Sequence, residues 1–208
     1  MNRSRQSTGC GHWNFYKLQD AEWFHLGPFV HTADCRNVSP GDTKTWKLRA
    51  AAGEMGPCQA RSYPFLGDGR YAAIAGYGHA TARSAALVQI DASPVTVVPT
   101  DDVTAHRDRG TVTATSERWR KAPDSEGRSR VSLVLETVGD ADRRLVPEQV
   151  MRRRYRGYRN TLAFVTADVA RVVLRTGDRT ADRTVGYDDG IAEFQYGEQP
   201  YRITRRTP

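Results

Sequence analysis

Arg152, Arg153, Arg154, Arg156 and Arg159 fall within eight residues, interleaved with Tyr155 and Tyr158 and with no acid among them. A guanidinium is a planar fork of donors that meets phosphate or carboxylate bidentately, and a phenol ring can stack on a base. The run therefore predicts an anion-contacting surface, with the arginines on phosphates and Tyr155 and Tyr158 on bases. Arg143 and Arg144 extend the basic stretch upstream. The competing reading is a solvated basic face whose tyrosines pack inward, because charge runs commonly serve solubility.

Other residues with chemistry carry weaker patterns. Cys10-x-His12 and His31-x3-Cys35 could supply four zinc ligands, but neither pair has the tight spacing that sets two ligands on one turn. The three cysteines, Cys10, Cys35 and Cys58, are an odd number, so intramolecular disulfides cannot use them all. Three reduced thiols suit a cytosolic chain; one bridge, Cys35–Cys58, suits an exported one. Gly76-Tyr77-Gly78-His79 lacks the strand–loop–helix context of a phosphate loop and reads as a tight turn. Asp188-Asp189-Gly190 reads as a hairpin turn rather than a carboxylate pair. Cys58 and His79 form a conceivable nucleophile and base, but residue type alone carries no geometry. No cofactor motif is present, and the catalytic residues of any enzyme here are not visible.

Charge narrows the partners. The 208-residue chain carries a net charge of +7, and residues 105–208 hold 21 basic against 15 acidic side chains. An anionic partner is drawn to that half. Only Lys17, Lys44, Lys47 and Lys121 are lysines, and so strong an arginine excess with abundant Ala and Gly is the composition of a high-GC genome. No signal peptide is legible and no stretch suits a membrane span, so the default location is cytoplasmic. An envelope or secreted location requires the true start to lie upstream.

These residues must be positioned by strands. Ser84–Asp91, Pro94–Thr100, Gly110–Thr115, Arg130–Val138 and Ala167–Arg175 are rich in β-branched residues and bounded by turn signals. Arg179–Val185 is expected to return as a partner strand. Ile191–Tyr196 follows as another, and Tyr201–Thr204 as a last edge strand. Thr45–Ala50 alternates as a half-buried strand does. Pro147 opens a short helix in which Met151, Tyr155, Tyr158 and Leu162 form one face. A strand over Thr161–Val165 is expected to follow.

Trp13, Phe15, Tyr16, Trp23, Phe24, Phe29 and Trp46 crowd the first fifty residues and read as a core of few, large side chains. The expectation is a mainly β fold, a sandwich or partly closed barrel with at most one or two short helices. It is a single domain over 1–208, or else an N-terminal part over 1–100 and a basic β domain over 110–208. The function class is a non-enzymatic binding or assembly module for a protein or polymer. The alternatives are nucleic-acid or anionic-polymer binding through 152–159, or an enzyme whose site leaves no trace in the sequence.

Overall fold

The computed structural model describes residues 6–7, 13–28, 37–43, 45, 49–51, 62–75, 85–121 and 130–207. The protein is mainly β, with 46% strand and 17% helix. The chain divides into two compact units, Met1–Val95 and Thr96–Pro208.

The N-terminal unit contains β1 (Gln6–Ser7), β2 (Trp13–Gln19), β3 (Glu22–Gly27), β4 (Asn37–Val38), β5 (Arg49–Ala50), β6 (Ser62–Tyr63), β7 (Gly69–Ala75) and β8 (Ala85–Ile90). Four of these form an antiparallel sheet in the order β3-β2-β7-β8. The expected aromatic core is present in part: Phe15 is buried and Tyr16 half-buried, while Phe29 and Trp46 lie outside the described residues. Phe15 stacks on Tyr71 with centroids 5.3 Å apart and lies 4.8 Å from Tyr63. The Tyr71 hydroxyl donates to the Gly67 carbonyl at 2.7 Å, which satisfies its polar end inside the core. Phe24 joins this core, whereas Trp23 is exposed. Of the strand expected over Thr45–Ala50, Arg49–Ala50 is strand, and residues 46–48 lie outside the described residues.

The C-terminal unit contains β9 (Val103–Asp108), β10 (Thr111–Ser116), α1 (Glu117–Arg120), β11 (Arg130–Thr137), β12 (Arg144–Leu145), α2 (Pro147–Val150), a 3₁₀ turn at Arg153–Tyr155, α3 (Arg156–Leu162), β13 (Arg171–Gly177), α4 (Asp178–Val185), β14 (Ile191–Tyr196) and β15 (Gln199–Arg206). Its seven strands run in the order β12-β14-β15-β11-β13-β10-β9. The β9–β10 hairpin closes on Arg109 and Gly110, both at positive φ (44° and 80°), the twist a two-residue hairpin needs. One sheet face is apolar and buried: Val112 and Ala114, Val131, Leu133 and Leu135, Val172 and Leu174, Phe194, and Ile203. Val150, Met151, Tyr155, Tyr158, Leu162, Ala181 and Val185 are buried side chains of the helical segments.

Four sequence expectations are corrected. Arg179–Val185 is helix α4, not a strand. Its buried residues Thr180, Ala181, Thr184 and Val185 recur with helical spacing, and the Thr184 hydroxyl donates to its own helix at Thr180 O (2.6 Å). A β-branched residue is thereby accommodated in a helix by packing that overrides propensity. Tyr201–Thr204 belongs to β15, which sits between β14 and β11 and so is interior. Thr161–Val165 is not a strand, because α3 continues to Leu162. Pro94–Thr100 makes no ladder. Its backbone groups are claimed by side chains of α3: Arg159 binds the carbonyls of Val98 and Pro99, and Asn160 Oδ1 accepts from Thr100 N at 2.9 Å.

The Pro147 helix start is present. Its first turn is steadied by Gln149, whose Oε1 accepts from the Val146 N–H at 3.2 Å. The expected helical face is also present in broken form, with Met151, Tyr155, Tyr158 and Leu162 all buried across α2, the 3₁₀ turn and α3.

Candidate anion site

The fold divides the Arg/Tyr run between core and surface. Tyr158 is 1% exposed, donates its hydroxyl to the Thr184 carbonyl at 2.5 Å, and meets Phe194 edge-on at 4.9 Å. Burial, opposed by the nearby Arg143 charge and abetted by Tyr155, raises the Tyr158 pKa, so the phenol stays neutral. Tyr155 is buried beside it, 5.8 Å between centroids. Neither ring offers a face to a base. The exposed Arg143 lies against both, 6.0 Å from Tyr155 and 5.6 Å from Tyr158.

Arg159 is also an internal residue, 8% exposed, with Nε 2.7 Å from Val98 O and Nη2 3.2 Å from Pro99 O. Arg152 is half-buried. Arg153 and Arg154 are exposed on the 3₁₀ turn, and Arg156, at the start of α3, forms an ion pair with Asp102.

What replaces the linear run is a cluster in space. Arg118 from α1, Arg153 and Arg154 from the 3₁₀ turn, Arg156 from α3 and Arg183 from α4 line one depression, with Thr180 and Gly157 at its wall. Burial pushes the Arg118 guanidinium below its usual range, as do the charges of Arg156, Arg153 and Arg179, while Asp102 acts against this. Arg179 is thereby placed within electrostatic reach of the same group.

The described acids on these elements are engaged elsewhere. Glu117 pairs with Lys121 at 2.5 Å, Asp182 with Arg205 at 2.5 Å, and Asp178 accepts from the Arg179 backbone N–H at 2.6 Å. Asp102, paired with Arg156, is a carboxylate that answers this cluster. Several like charges held close raise one another's energy, and an anion relieves it. The space between the side chains is about 10 Å³, room for about one water. An anion therefore meets these heads at the surface and is not enclosed.

A larger hollow of about 360 Å³ lies at the end of the sheet beneath Val165–Ala170. Its charged members, Glu136 and Arg171, pair with each other at 3.3 Å, so it presents no net charge to a ligand.

The weaker candidates add no geometry. Cys10, His12, His31 and Cys35 lie outside the described residues, as do Cys58 and His79. Among the described residues there is no group of three or more His, Cys, Asp or Glu placed to hold a metal, and no helix is long and apolar enough to cross a membrane. Asp188 and Asp189 are exposed in the bend before β14.

Arg118, Arg179 and Arg183 are absent from the linear reading. Arg179 and Arg183 are an i,i+4 pair, a signal visible only once α4 is known to be a helix. Comparison with protein-family models, with curated proteins and with solved structures found no match.

Proposed function

We propose that this chain is a non-enzymatic binding module that engages a polyanionic polymer through Arg118, Arg153, Arg154, Arg156, Arg179 and Arg183. The observation that carries the reading is the convergence of arginines from α1, the 3₁₀ turn, α3 and α4 around one depression. The shallow space between the heads favours a polymer lying across them over a small molecule enclosed by them. With Tyr155 and Tyr158 in the core, contacts go to the backbone phosphates of a nucleic acid and not to its bases, so binding is independent of sequence.

The test is fluorescence anisotropy with duplex DNA, single-stranded RNA and heparin across a salt series. Counterion release gives a log–log slope of about −0.9 per phosphate contact on duplex and about −0.7 on single strands. Replacing Arg153, Arg154 and Arg183 together with Gln flattens the slope by about 0.9 for each arginine that no longer meets a duplex phosphate. The exposed Arg171→Gln, on a different surface, leaves it unchanged. Absence of binding at about 50 mM salt, where such contacts are strong, or an unaltered slope in the triple variant, overturns the reading.

A further inference from the structure

The hollow of about 360 Å³ at the end of the C-terminal sheet shares no residue with the arginine cluster. Leu135 and Val172, each 1% exposed, bring the apolar sheet face into it, and Val165 and Val169 line it from the segment after α3. That segment is held in place by its backbone. The Val165 N–H donates to Leu162 O at 3.2 Å, the Val169 N–H to Thr166 O at 3.0 Å and the Ala170 N–H to Gly110 O at 2.9 Å. Ala167 and Ala170 contribute only a methyl each to the lining, which leaves the space open. A site of this size, mostly aliphatic and already formed, is of the kind that small molecules occupy.

Its polar groups are spent, with one exception. Glu136 pairs with Arg171, the Thr166 hydroxyl donates to Asp168 at 2.6 Å, the Gln199 amide donates to Pro200 O at 3.3 Å, and Thr137 is exposed to water. The exception is Tyr201 on β15. It is 7% exposed, and its ring is fixed by stacking on Phe194 at 5.9 Å. Among the described residues its hydroxyl has no hydrogen-bond partner, and burial raises its pKa. A buried hydroxyl left unbonded carries the cost of its lost hydration, so such a group calls for a partner.

We propose that this hollow binds an uncharged, mainly apolar small molecule whose oxygen, a ketone or a hydroxyl, meets the Tyr201 hydroxyl. Water alone satisfies the phenol but leaves the aliphatic lining wet. A hydrocarbon alone covers the lining but leaves the phenol unbonded. A molecule with an apolar body and one hydrogen-bonding oxygen answers both. A charged ligand is disfavoured, because the two charges in the lining, Glu136 and Arg171, already neutralise each other.

The experiment titrates the full-length chain with prodan, an uncharged naphthalene ketone. Its emission moves to the blue in apolar surroundings, and again when its carbonyl loses a hydrogen bond. The wild type binds it saturably, one per chain. Tyr201→Phe keeps the ring on Phe194 and removes the hydroxyl. Affinity then falls about two- to tenfold, the worth of one neutral hydrogen bond, and the bound emission moves further to the blue. Ala170→Phe, at an exposed position, fills the hollow and abolishes binding while the protein still melts as a folded one. Should it fail to fold, Ala167→Phe, also at an exposed position, fills the same space. Acetonaphthone, which is uncharged, displaces prodan; naphthoate, of similar size but anionic, does not. A wild type without saturable binding, a Tyr201→Phe protein of unchanged affinity and emission, full binding by the filled variant, or equal displacement by naphthoate would each overturn the proposal.

Discussion

Arg159 Nε donates to the carbonyl oxygen of Val98 at 2.7 Å, closing a loop of sixty-one residues. The second arm of the same guanidinium holds Pro99 at 3.2 Å, and Asn160 binds Thr100 through both its amide atoms. This clasp fastens the extended segment ahead of β9 to α3. Arg159 is thus an arginine of the interior although it sits in a basic run.

Arg159→Gln is therefore expected to lower stability with little effect on anion affinity. Two hydrogen bonds from a charged group disappear in a buried setting, an effect of about 2–4 kcal/mol. Urea unfolding measures the first quantity. Anisotropy in the absence of urea measures the second. A variant of wild-type stability that loses affinity would instead place Arg159 at the binding surface.

Gly157 packs directly on Thr184. A Cβ at 157 would lie 2.0 Å from Thr184 Oγ1 and 3.0 Å from its Cβ and Cγ2. Alanine is the better helix former by about 1 kcal/mol, yet overpacking costs about 1–3 kcal/mol. Gly157→Ala is expected to be net destabilising, and Thr184→Ala in the same chain to recover part of the loss. A double-mutant cycle in chemical denaturation reads this coupling.

The sequence was most legible where a face repeats. Val131, Leu133 and Leu135 alternate and are buried on one face of β11, and Met151, Tyr155, Tyr158 and Leu162 follow helical spacing and are buried. It failed where tertiary packing chose against local preference. Arg179–Val185 has two threonines and a valine, reads as a strand, and forms a helix because α4 can bury Thr180, Ala181 and Thr184 together. That single misreading also hid part of the arginine cluster. Residues four apart are about 13 Å apart on a strand but only about 6 Å apart on a helix face, so Arg179 and Arg183 are neighbours only in the latter. Arg118 joins from a segment far upstream, and no local spacing could have included it.

Stability is expected to fall at alkaline pH through buried phenols. The Tyr196 pKa is pushed up to about 12, first by burial, then by the charges of Glu148 and Tyr201. Burial also raises Tyr158 and Tyr201. A group whose folded pKa exceeds its unfolded value binds its proton more tightly when folded. Its contribution is complete below the unfolded value of 10.0 and is lost as pH rises through the folded value of about 12. Urea midpoints between those limits should decline, and Tyr196→Phe should shallow the decline. A slope identical in wild type and Tyr196→Phe would refute the assignment to this phenol.

Asp102 restrains the arginine cluster, and its removal separates stability from binding. Burial acts to raise its pKa, but the Thr100 hydroxyl at 2.6 Å and the Arg156 charge overcome this and hold it below the ordinary 3.8. A depressed carboxylate contributes stability that is complete above the unfolded value and is lost as pH falls through the lower folded value. Asp102→Asn keeps an acceptor for Thr100 and abolishes the charge that Arg156 answers. The expected cost is about 1 kcal/mol, the difference between a charged and a neutral hydrogen bond, together with a flatter stability profile below pH 4, the acid side of the 3.8 reference. Binding should move the other way. With the competing carboxylate charge removed from beside Arg156, affinity for duplex DNA rises at low salt, a gain that fades as salt screens it. Acid titration of the unfolding midpoint and the anisotropy salt series are run on the same preparation. Weaker binding by a folded Asp102→Asn protein would mean that the ion pair orders Arg156 for its ligand instead of competing with it.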